Sequence, residues 1–328
     1  MKLSIVIAAY NVEKFITKCI ISCYDKILEN DFEIIVINDG STDNTGEIIA
    51  TLLSSIPNLK LINKKNTGLG AARNTGIQQA KGEYLWFVDG DDYIAEGVLS
   101  LIFEEINRND LDALVLNYST VDDKYRMISN NAFDITIDQH VVTGSVFYRN
   151  NYEKSYSCFF IFRKALFIEF DVFFKERINM QDSEILPKLL INVNRLSFFN
   201  KTCYYYVQHP DSFTNTSNGK KRLKYFESMI EVKQSLQLFL SNEAKNNVPL
   251  TIGLEKKILG IHHIIFNHLV FFKYEKNTLK EILRLLRRNN LYPLKFAPMG
   301  KMIFVKLGLN SFPILTKLIV DKIQELRK

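Results

Sequence analysis

Three carboxylates fall within four residues in the segment Asp89-Gly90-Asp91-Asp92, directly after the apolar run 84–88. Such a run is typical of a buried strand, and open α/β sheets bind their ligands at the carboxyl ends of strands. Carboxylates this close repel one another unless a cation or hydrogen-bond donors compensate. Because oxygen ligands favour Mg²⁺ or Mn²⁺, this acidic cluster predicts an ion that bridges a diphosphate. The alternative is an acidic turn in which Asp92 caps the next helix.

The carboxylate of Asp39 also follows a strand-like run, at 33–38. Runs of β-branched and apolar residues at 3–8, 33–38, 59–63 and 84–88 alternate with helical patterns over the first hundred residues. That alternation predicts a doubly wound parallel sheet covered by helices. Because parallel strands end at the same edge of a sheet, Asp39 and the acidic cluster are expected to face one crevice.

Two common nucleotide-binding motifs are absent from the sequence. A dinucleotide-binding fold needs G-x-G-x-x-G after its first strand, but the segment 8–12 contains no glycine, and Asn11 there is expected to cap the first helix. A Walker A motif is absent as well. The glycine-rich turn 68–73 ends in Arg73 and is either a phosphate loop or a turn that begins a helix.

Four segments, in this order and spacing, resemble the successive motifs of the inverting glycosyltransferase family 2. They are SIVIAAYN at 4–11, VINDGSTD at 36–43, GAARNTG at 70–76 and FVDGDD at 87–92. The resemblance extends over roughly residues 1 to 215. It implies an α/β fold of the GT-A type, a Rossmann-like nucleotide-diphospho-sugar transferase with a mostly parallel sheet, to which this chain adds a C-terminal helical extension.

The resemblance implies that five residues surround the nucleotide of a sugar donor. Ala8, Ala9 and Tyr10 would form a platform beside the base. Asp39 would accept a hydrogen bond from the uracil imide, a buried polar match that discriminates between bases. Arg73 would lie near the base and the acidic cluster and supply positive charge.

The resemblance also implies a metal that holds the diphosphate. Asp89, with Gly90 beside it, would contact the ribose or a metal-bound water, and Asp91 would ligate Mn²⁺ or Mg²⁺. His209, after the tyrosine-rich segment, would be a further metal ligand or touch the diphosphate, and Ser212 would contact a phosphate. The ion would offset the charge that grows on the departing nucleoside diphosphate.

An inverting transfer needs a base on the face opposite the leaving group. Family members carry an acidic pair at the start of a helix about ninety residues after the metal motif, and the resemblance makes Asp182 that base. The first acid of the pair is replaced by Gln181, and Glu184 either compensates for it or only starts the helix. Where relatives often show an aromatic residue followed by lysine, this chain has CFFIFR at 158–163, so the acceptor is not inferred by analogy.

The charge is divided unevenly along the chain. Residues 1–219 carry 21 Lys and Arg against 28 Asp and Glu, a net charge of −7, whereas residues 220–328 carry 21 against 8, a net charge of +13. We therefore expect a catalytic domain over 1–219, with a nucleotide-sugar half at 1–118 and an acceptor half at 119–219, and a basic helical region over 220–328. Within the acceptor half, the polar segment 119–155 is expected to be an inserted hairpin or a mobile loop.

The basic region has three readings. A basic amphipathic helix would lie on an anionic membrane surface, whereas an ordinary helical subdomain would only expose a solvated basic face. Binding to nucleic acid is not expected, because no recognition motif is present and the acidic body would repel phosphate. Whether the chain forms a homodimer through these helices is left open.

Composition and cysteine usage favour a cytoplasmic protein. The sequence is 47% apolar and 24% charged, which excludes disordered, collagen-like and coiled-coil chains. Its four cysteines, Cys19, Cys23, Cys158 and Cys203, form no CxxC motif, which favours a reducing compartment, and Cys19 and Cys23 are expected to be buried on a helix. We find neither a signal-peptide pattern nor a run of eighteen apolar residues, which favours the cytoplasm or the inner face of the cell membrane.

The sequence thus predicts a metal-dependent inverting glycosyltransferase of the hexosyl- or N-acetylhexosaminyltransferase class. From the resemblance, it would move a sugar from a nucleoside-diphosphate sugar, with UDP favoured, to a saccharide or lipid-linked saccharide in bacterial surface polysaccharide synthesis. One alternative is a nucleotidyltransferase that makes a nucleotide sugar, but the glycine-rich basic loop expected after its first strand is missing. The other alternative is a nucleic-acid-binding module that uses the basic tail.

Overall fold

The computed structural model describes residues 1–131, 133, 141–210, 219–294 and 302–325. The chain forms two compact units. The first comprises residues 1–177 and 181–212, and the second comprises residues 178–180 and 213–328. Ser212 lies outside the described residues, so its expected phosphate contact stays a prediction.

One mixed sheet carries the first unit. Its described strands are β1 (Leu3–Ala9), β2 (Phe32–Asn38), β3 (Leu59–Asn63), β4 (Tyr84–Asp89), β5 (Tyr93–Ile94), β6 (Ala113–Asp122), β7 (Met127–Asn131), β8 (Phe160–Arg163) and β9 (Leu196–Gln208). They follow the order β3-β2-β1-β4-β8-β6-β9-β5, and β7 pairs with β6. The strands β3, β2, β1 and β4 are parallel, as predicted for the first hundred residues. From β8 onward the sheet becomes mixed, because β8 pairs antiparallel with both β4 and β6.

The helices of the first unit cover this sheet, which confirms the α/β class. They are α1 (Ile16–Ser22), α2 (Thr45–Leu52), α3 (Leu69–Gln79), α4 (Val98–Asn109), α5 (Gly144–Asn151), α6 (Ala165–Ile168) and α7 (Gln181–Leu190). Every residue of β2 is buried, as expected for a parallel strand with both faces covered. Helix α3 approaches β1 very closely, since a Cβ atom on Gly76 would lie 2.1 Å from Cγ1 of Val6.

Asn11 does not cap the first helix, and that expectation was wrong. Helix α1 begins five residues later, at Ile16. Asn11 has a left-handed backbone with φ of 53°, a conformation that asparagine tolerates better than most residues. Its Oδ1 accepts a hydrogen bond of 2.8 Å from the backbone N–H of Thr42. The asparagine therefore ties the end of β1 to the turn after β2, at the edge where ligands are expected.

The segment 119–155 contains more regular structure than its composition indicated. β6 runs through to Asp122 and pairs with β7 as a hairpin, which confirms the hairpin alternative. Helix α5 was missed, although Thr143 caps it by accepting a hydrogen bond from the N–H of Val146. Residues 132 and 134–140 lie outside the described part of the chain.

The second unit is helical, as predicted. Its helices are α8 (Gly219–Phe239), α9 (Val248–Phe271), α10 (Lys276–Arg288), α11 (Met302–Ser311) and α12 (Pro313–Glu325), with a π-helical segment at Leu240–Ala244. The sequence places Tyr225, Met229, Val232, Leu236 and Phe239 on one apolar stripe of α8, and all but the half-buried Tyr225 are buried. In the ranges that the structure describes, no helix combines the length and the apolar character needed to span a bilayer.

The close packing of α3 on β1 predicts that Gly76→Ala destabilises the first unit. The added methyl group would collide with Val6, and overpacking of this kind costs about 1–3 kcal/mol. Trp86 is the single tryptophan and is fully buried in β4, so its fluorescence during urea unfolding reports on this unit.

Gly260→Ala in α9 is the matched control. A Cβ at Gly260 would meet no atom within 4 Å, and alanine is the better helix former by about 0.5–1 kcal/mol. This variant is expected to leave the Trp86 midpoint unchanged. A wild-type midpoint for Gly76→Ala would contradict the packing described here.

Candidate active site

Arg73 lies at the centre of the candidate site. It is 1% exposed on α3. Its Nη2 donates to Oδ1 of Asp89 at 2.7 Å, and its Nη1 donates to Oδ1 of Asp182 at 2.8 Å. Burial alone would lower the pKa of the guanidinium, but Asp182 and Asp89 outweigh it and raise that pKa above its ordinary value. A single buried cation therefore joins the end of β4 to the start of α7.

Two aromatic rings and the backbone of one segment enclose this guanidinium. Its Cζ lies 6.0 Å from the ring centroid of Phe87 and 5.3 Å from that of Phe174. Asn74 holds the second ring in place, because its side chain donates to the carbonyl and accepts from the N–H of Phe174, both at 2.9 Å. Gly70 lets this segment approach, since a Cβ there would lie 2.7 Å from the carbonyl oxygen of Lys175. Within the GAARNTG motif, Gly70 and Asn74 thus fix the segment that packs around the Arg73 guanidinium.

The described hydrogen bonds to Asp182 all involve one of its two carboxylate oxygens. Its Oδ1 accepts from Arg73, from Oγ of Ser157 at 2.5 Å and from the N–H of Ser157 at 3.3 Å. Among the described residues, every hydrogen bond to this carboxylate ends on Oδ1. The Asp182 side chain is 19% exposed, so a bound group can reach it. Glu184 is buried and pairs with Lys188 one turn later in the same helix.

Within the acidic cluster, Asp92 has a structural role. Its carboxylate accepts from Oη of Tyr204 at 2.6 Å and from the N–H of Val207 at 2.8 Å. Burial, and then the charges of Asp91 and Asp89, raise its pKa well above the ordinary value. Asp92 does not cap the next helix, so that alternative was wrong. It anchors β9 against the cluster instead.

Asp91 and His209 face each other at the same edge of the sheet. Oδ2 of Asp91 lies 3.0 Å from Nε2 of His209, and the carboxylate is 29% exposed. The ring of Phe15 packs against the imidazole, with centroids 4.7 Å apart. The described residues contain no cluster of three His, Cys, Asp or Glu side chains that would enclose a metal ion. These two side chains do fit an open site, in which a carboxylate and an imidazole share an ion and the ligand completes its coordination.

The residues expected around the base lie together at the ends of β1 and β2. The Asp39 N–H donates to the carbonyl of Ala9 at 2.9 Å, and Tyr10 is 49% exposed beside it. Gly90 packs against this end of β1, since a Cβ there would lie 3.0 Å from the carbonyl oxygen of Ala8.

The Asp39 carboxylate is largely used by the protein itself. It is bound by Lys64 Nζ at 2.9 Å, by the N–H of Thr67 at 3.0 Å and by the N–H of Gly68 at 2.7 Å. Gly68 adopts φ of 97°, a conformation suited to glycine, and α3 begins directly after it. Asp39 therefore fixes the turn that aims Arg73, and its expected contact with uracil stays a prediction.

Sequence reasoning missed Ser157, Asn74 and the hydroxyl of Tyr204. Ser157 lies in a single turn before β8 and has no motif around it. Tyr204 is fully buried, and its Oη accepts from the N–H of Asp89 at 3.2 Å while it donates to Asp92. The sequence shows a run of three tyrosines in β9, but nothing in that run distinguishes the tyrosine whose hydroxyl group hydrogen-bonds to the acidic cluster.

Tyr204→Phe is expected to destabilise the first unit by about 1–3 kcal/mol. The change removes the hydroxyl group that satisfies Asp92, and an unpaired buried acceptor costs about that much. Urea unfolding followed by Trp86 fluorescence gives the free energy of unfolding. Tyr205→Phe is the matched control, because the Tyr205 ring stacks on Tyr93 and keeps that contact. Equal stability of the two variants would remove the assigned role of the Tyr204 hydroxyl.

Comparison with known proteins identifies the family of this site. The family model described as "Glycosyl transferase family 2" matches residues 4–168, half of the chain. The "Uncharacterized glycosyltransferase EpsJ" of Bacillus subtilis is 30% identical over 217 residues, which are 64% of this chain and 62% of that protein. The poly(ribitol-phosphate) beta-N-acetylglucosaminyltransferase TarS of Staphylococcus aureus is 29% identical over 214 residues, 63% of this chain but 35% of that protein.

Solved structures support the same fold. The crystal structure of Staphylococcus aureus TarS 1–349 in complex with UDP-GlcNAc superposes with a TM-score of 0.68 and 22% identity, and covers 100% of this chain and 93% of that one. At this identity the likeness shows the fold. The part of this chain that matches by sequence covers only 62% of the length of EpsJ and 30% of the length of the Streptococcus pneumoniae glycosyltransferase GlyA.

Proposed function

This chain belongs to glycosyl transferase family 2 and has the GT-A fold, and we propose that it transfers a sugar from a nucleoside-diphosphate sugar to a saccharide acceptor with inversion. The observation that carries the proposal is the bridge made by Arg73. One guanidinium contacts Asp89, in the acidic cluster, and Asp182, the candidate base, at 2.7 and 2.8 Å. Donor-side and acceptor-side groups are thereby held side by side, as a single displacement requires.

We propose UDP as the nucleotide of the donor. Structures of the Staphylococcus aureus TarS fragment were obtained with UDP-GlcNAc and with UDP. In this chain Ala8, Ala9 and Tyr10 would lie beside the uracil, and Asp39 would accept from its imide. The class of sugar would be a hexose or an N-acetylhexosamine.

We propose that Asp91 and His209 hold Mn²⁺ or Mg²⁺ at the diphosphate. When bound, the ion would offset the negative charge of the departing nucleoside diphosphate. Asp89 has its Oδ1 bound to Arg73, so its other oxygen, with Gly90 beside it, would contact the ribose or a metal-bound water.

Asp182 would act as the general base through Oδ2. The acceptor oxygen forms the new bond to the anomeric carbon while the bond from that carbon to the diphosphate breaks, and the hydroxyl proton passes to Asp182. Arg73 and Ser157 would keep Oδ1 fixed during this step, so that Oδ2 keeps its direction toward the acceptor.

The acceptor would be a saccharide or a lipid-linked saccharide in bacterial surface polysaccharide synthesis. Residues 1–219 would form the catalytic part, at the cytoplasmic side. Residues 220–328, with a net charge of +13, would bring the enzyme to an anionic membrane surface. A homodimer through the same helices is the competing use of this region.

Thermal unfolding with UDP, GDP, dTDP or CMP, each with and without Mn²⁺, tests the donor site. A ligand that binds only the folded state raises the melting midpoint. At a free ligand concentration of a hundred times its dissociation constant, the folded state gains about 2.7 kcal/mol. We expect a rise with UDP that requires Mn²⁺. A higher midpoint with only one of the other nucleotides would make that nucleotide the donor's nucleotide instead of UDP. An unchanged midpoint with all four would argue against a donor site.

Asp91→Asn and Asp182→Asn are expected to separate donor binding from transfer. Asp91→Asn should lose the Mn²⁺-dependent rise, because it removes a charged metal ligand. Asp182→Asn should keep that rise and lose about 10²–10⁴-fold in transfer to a saccharide acceptor, the usual contribution of a general base.

Asp31→Asn, at an exposed position, is the control and should behave as the wild type in both assays. Normal Mn²⁺-dependent binding by Asp91→Asn would remove the metal assignment. Loss of UDP binding by Asp182→Asn would indicate that Asp182 binds the donor and would contradict its assignment as the base.

A further inference from the structure

The last two described helices expose a large apolar surface. It is formed on α11 by Phe304 and Leu307, at the corner by Phe312, and on α12 by Leu315, Leu318 and Ile319; we call these six residues the hairpin face. Each is more than half exposed, from 51% for Ile319 to 75% for Phe304. Soluble proteins rarely leave so many neighbouring large apolar side chains uncovered without a partner.

Helix α12 has the reverse of the usual polarity. Lys317 is 2% exposed, and its Nζ donates to the carbonyl of Val270 at 3.2 Å and pairs with Asp321. Gln324 donates to the same carbonyl at 3.3 Å. Residues 317, 321 and 324 recur at helical spacing on the inner side, while 315, 318 and 319 are exposed. A helix that faces water normally buries its apolar stripe, so the outer side of α12 is built for a medium other than water.

The inward lysine has a clear physical reason. Helix α9 ends at Phe271, so the carbonyl of Val270 is one of the terminal acceptors that lack a partner within the helix. Lys317 and Gln324 supply donors to it. These hydrogen bonds hold Lys317 and Gln324 toward the end of α9, while Leu315, Leu318 and Ile319 of α12 stay exposed.

The helical hairpin formed by α11 and α12 is packed against the rest of its unit. Gly308 of α11 and Thr316 of α12 are in close contact, since a Cβ on Gly308 would lie 2.8 Å from Oγ1 of Thr316. Asn310 bonds with the backbone of Leu294 in both directions, at 2.7 and 3.0 Å. The exposure of the hairpin face therefore belongs to a packed structure.

A strongly basic helix is attached to the same corner. Helix α10 buries Leu279, Ile282, Leu283 and Leu286 and exposes Lys276, Lys280, Arg284, Arg287 and Arg288. Arg287 lies over the ring of Tyr292 at 4.9 Å, and the Tyr292 hydroxyl donates to the carbonyl of Asn310 at 3.1 Å. The basic end of α10 is thus linked to the end of α11.

We propose that the hairpin face inserts into the headgroup region of an anionic membrane, with the basic residues of α10 beside the lipid phosphates. The proposal rests on the membrane association proposed above for residues 220–328 and names the surface that performs it. Apolar side chains next to a basic cluster match the two layers of an anionic bilayer surface. A second copy is the poorer occupant, because it would bring two regions of charge +13 together.

Sedimentation of the full chain with vesicles tests the proposal. We expect binding to vesicles of equal parts phosphatidylglycerol and phosphatidylcholine, at least tenfold weaker binding to phosphatidylcholine alone, and weakening by 0.5 M NaCl. No binding to the anionic vesicles would overturn both the hairpin proposal and the membrane association.

Leu318→Ser and Leu238→Ser are the matched variants. The two leucines are equally exposed in the same unit, at 62% and 63%, but Leu238 lies on α8. We expect Leu318→Ser to weaken vesicle binding at least tenfold and Leu238→Ser to change it less than twofold. Because both side chains are exposed, the variants should fold, which circular dichroism and a melting curve check.

Two other outcomes would contradict the hairpin proposal. Vesicle binding that Leu318→Ser leaves intact would keep the membrane association but move it to another surface. A concentration-dependent dimer in analytical ultracentrifugation that Leu318→Ser abolishes would make a second copy the occupant. The UDP-dependent rise of the melting midpoint, measured on the same samples, reports separately on the donor site, so its failure is distinguishable from failure of the surface.

Discussion

The burial of one guanidinium is the constraint on which the candidate site depends. Moving an arginine out of water is costly unless carboxylates and ring faces replace the water, and Arg73 is 1% exposed. Its two carboxylates come from residues 16 and 109 positions away in the sequence. The chain must therefore bring the end of β4 and the start of α7 to the same point of α3, and the close approach at Gly70 and Gly76 is what allows it.

Such a cluster is better explained by positioning than by stability. A buried ion pair often contributes no more to stability than well-packed apolar residues would. Here the arrangement leaves Oδ2 of Asp182 unused, while Oδ1 carries all of the described hydrogen bonds to that side chain. The protein holds the carboxylate by one oxygen, and the side chain remains 19% exposed. That asymmetry is what a general base needs, since a base must be fixed and still accessible.

The sequence predicted the parts of the site that are local. Asp39, Arg73, Asp91 and Asp182 each lie in a short motif, and the fold needs only strand ends and helix starts to place them. It could not predict the pairs that join distant segments, such as Ser157 with Asp182, because no pattern marks a serine before an edge strand. For Asp92 the sequence offered a helix cap as the alternative to a metal site, but it did not predict the hydrogen bond from the buried hydroxyl group of Tyr204.

The C-terminal helices show a similar limit of sequence patterns. Charge alone indicated an anionic partner for residues 220–328, yet charge does not say which side of a helix faces outward. That choice depends on the unpaired carbonyl at the end of α9, to which Lys317 and Gln324 donate. With Lys317 turned inward, α12 leaves Leu315, Leu318 and Ile319 exposed to the solvent, and the basic stripe lies on α10 instead. The opposite charges of the two parts, −7 and +13, add an orienting effect, because an anionic surface attracts the second part and repels the first.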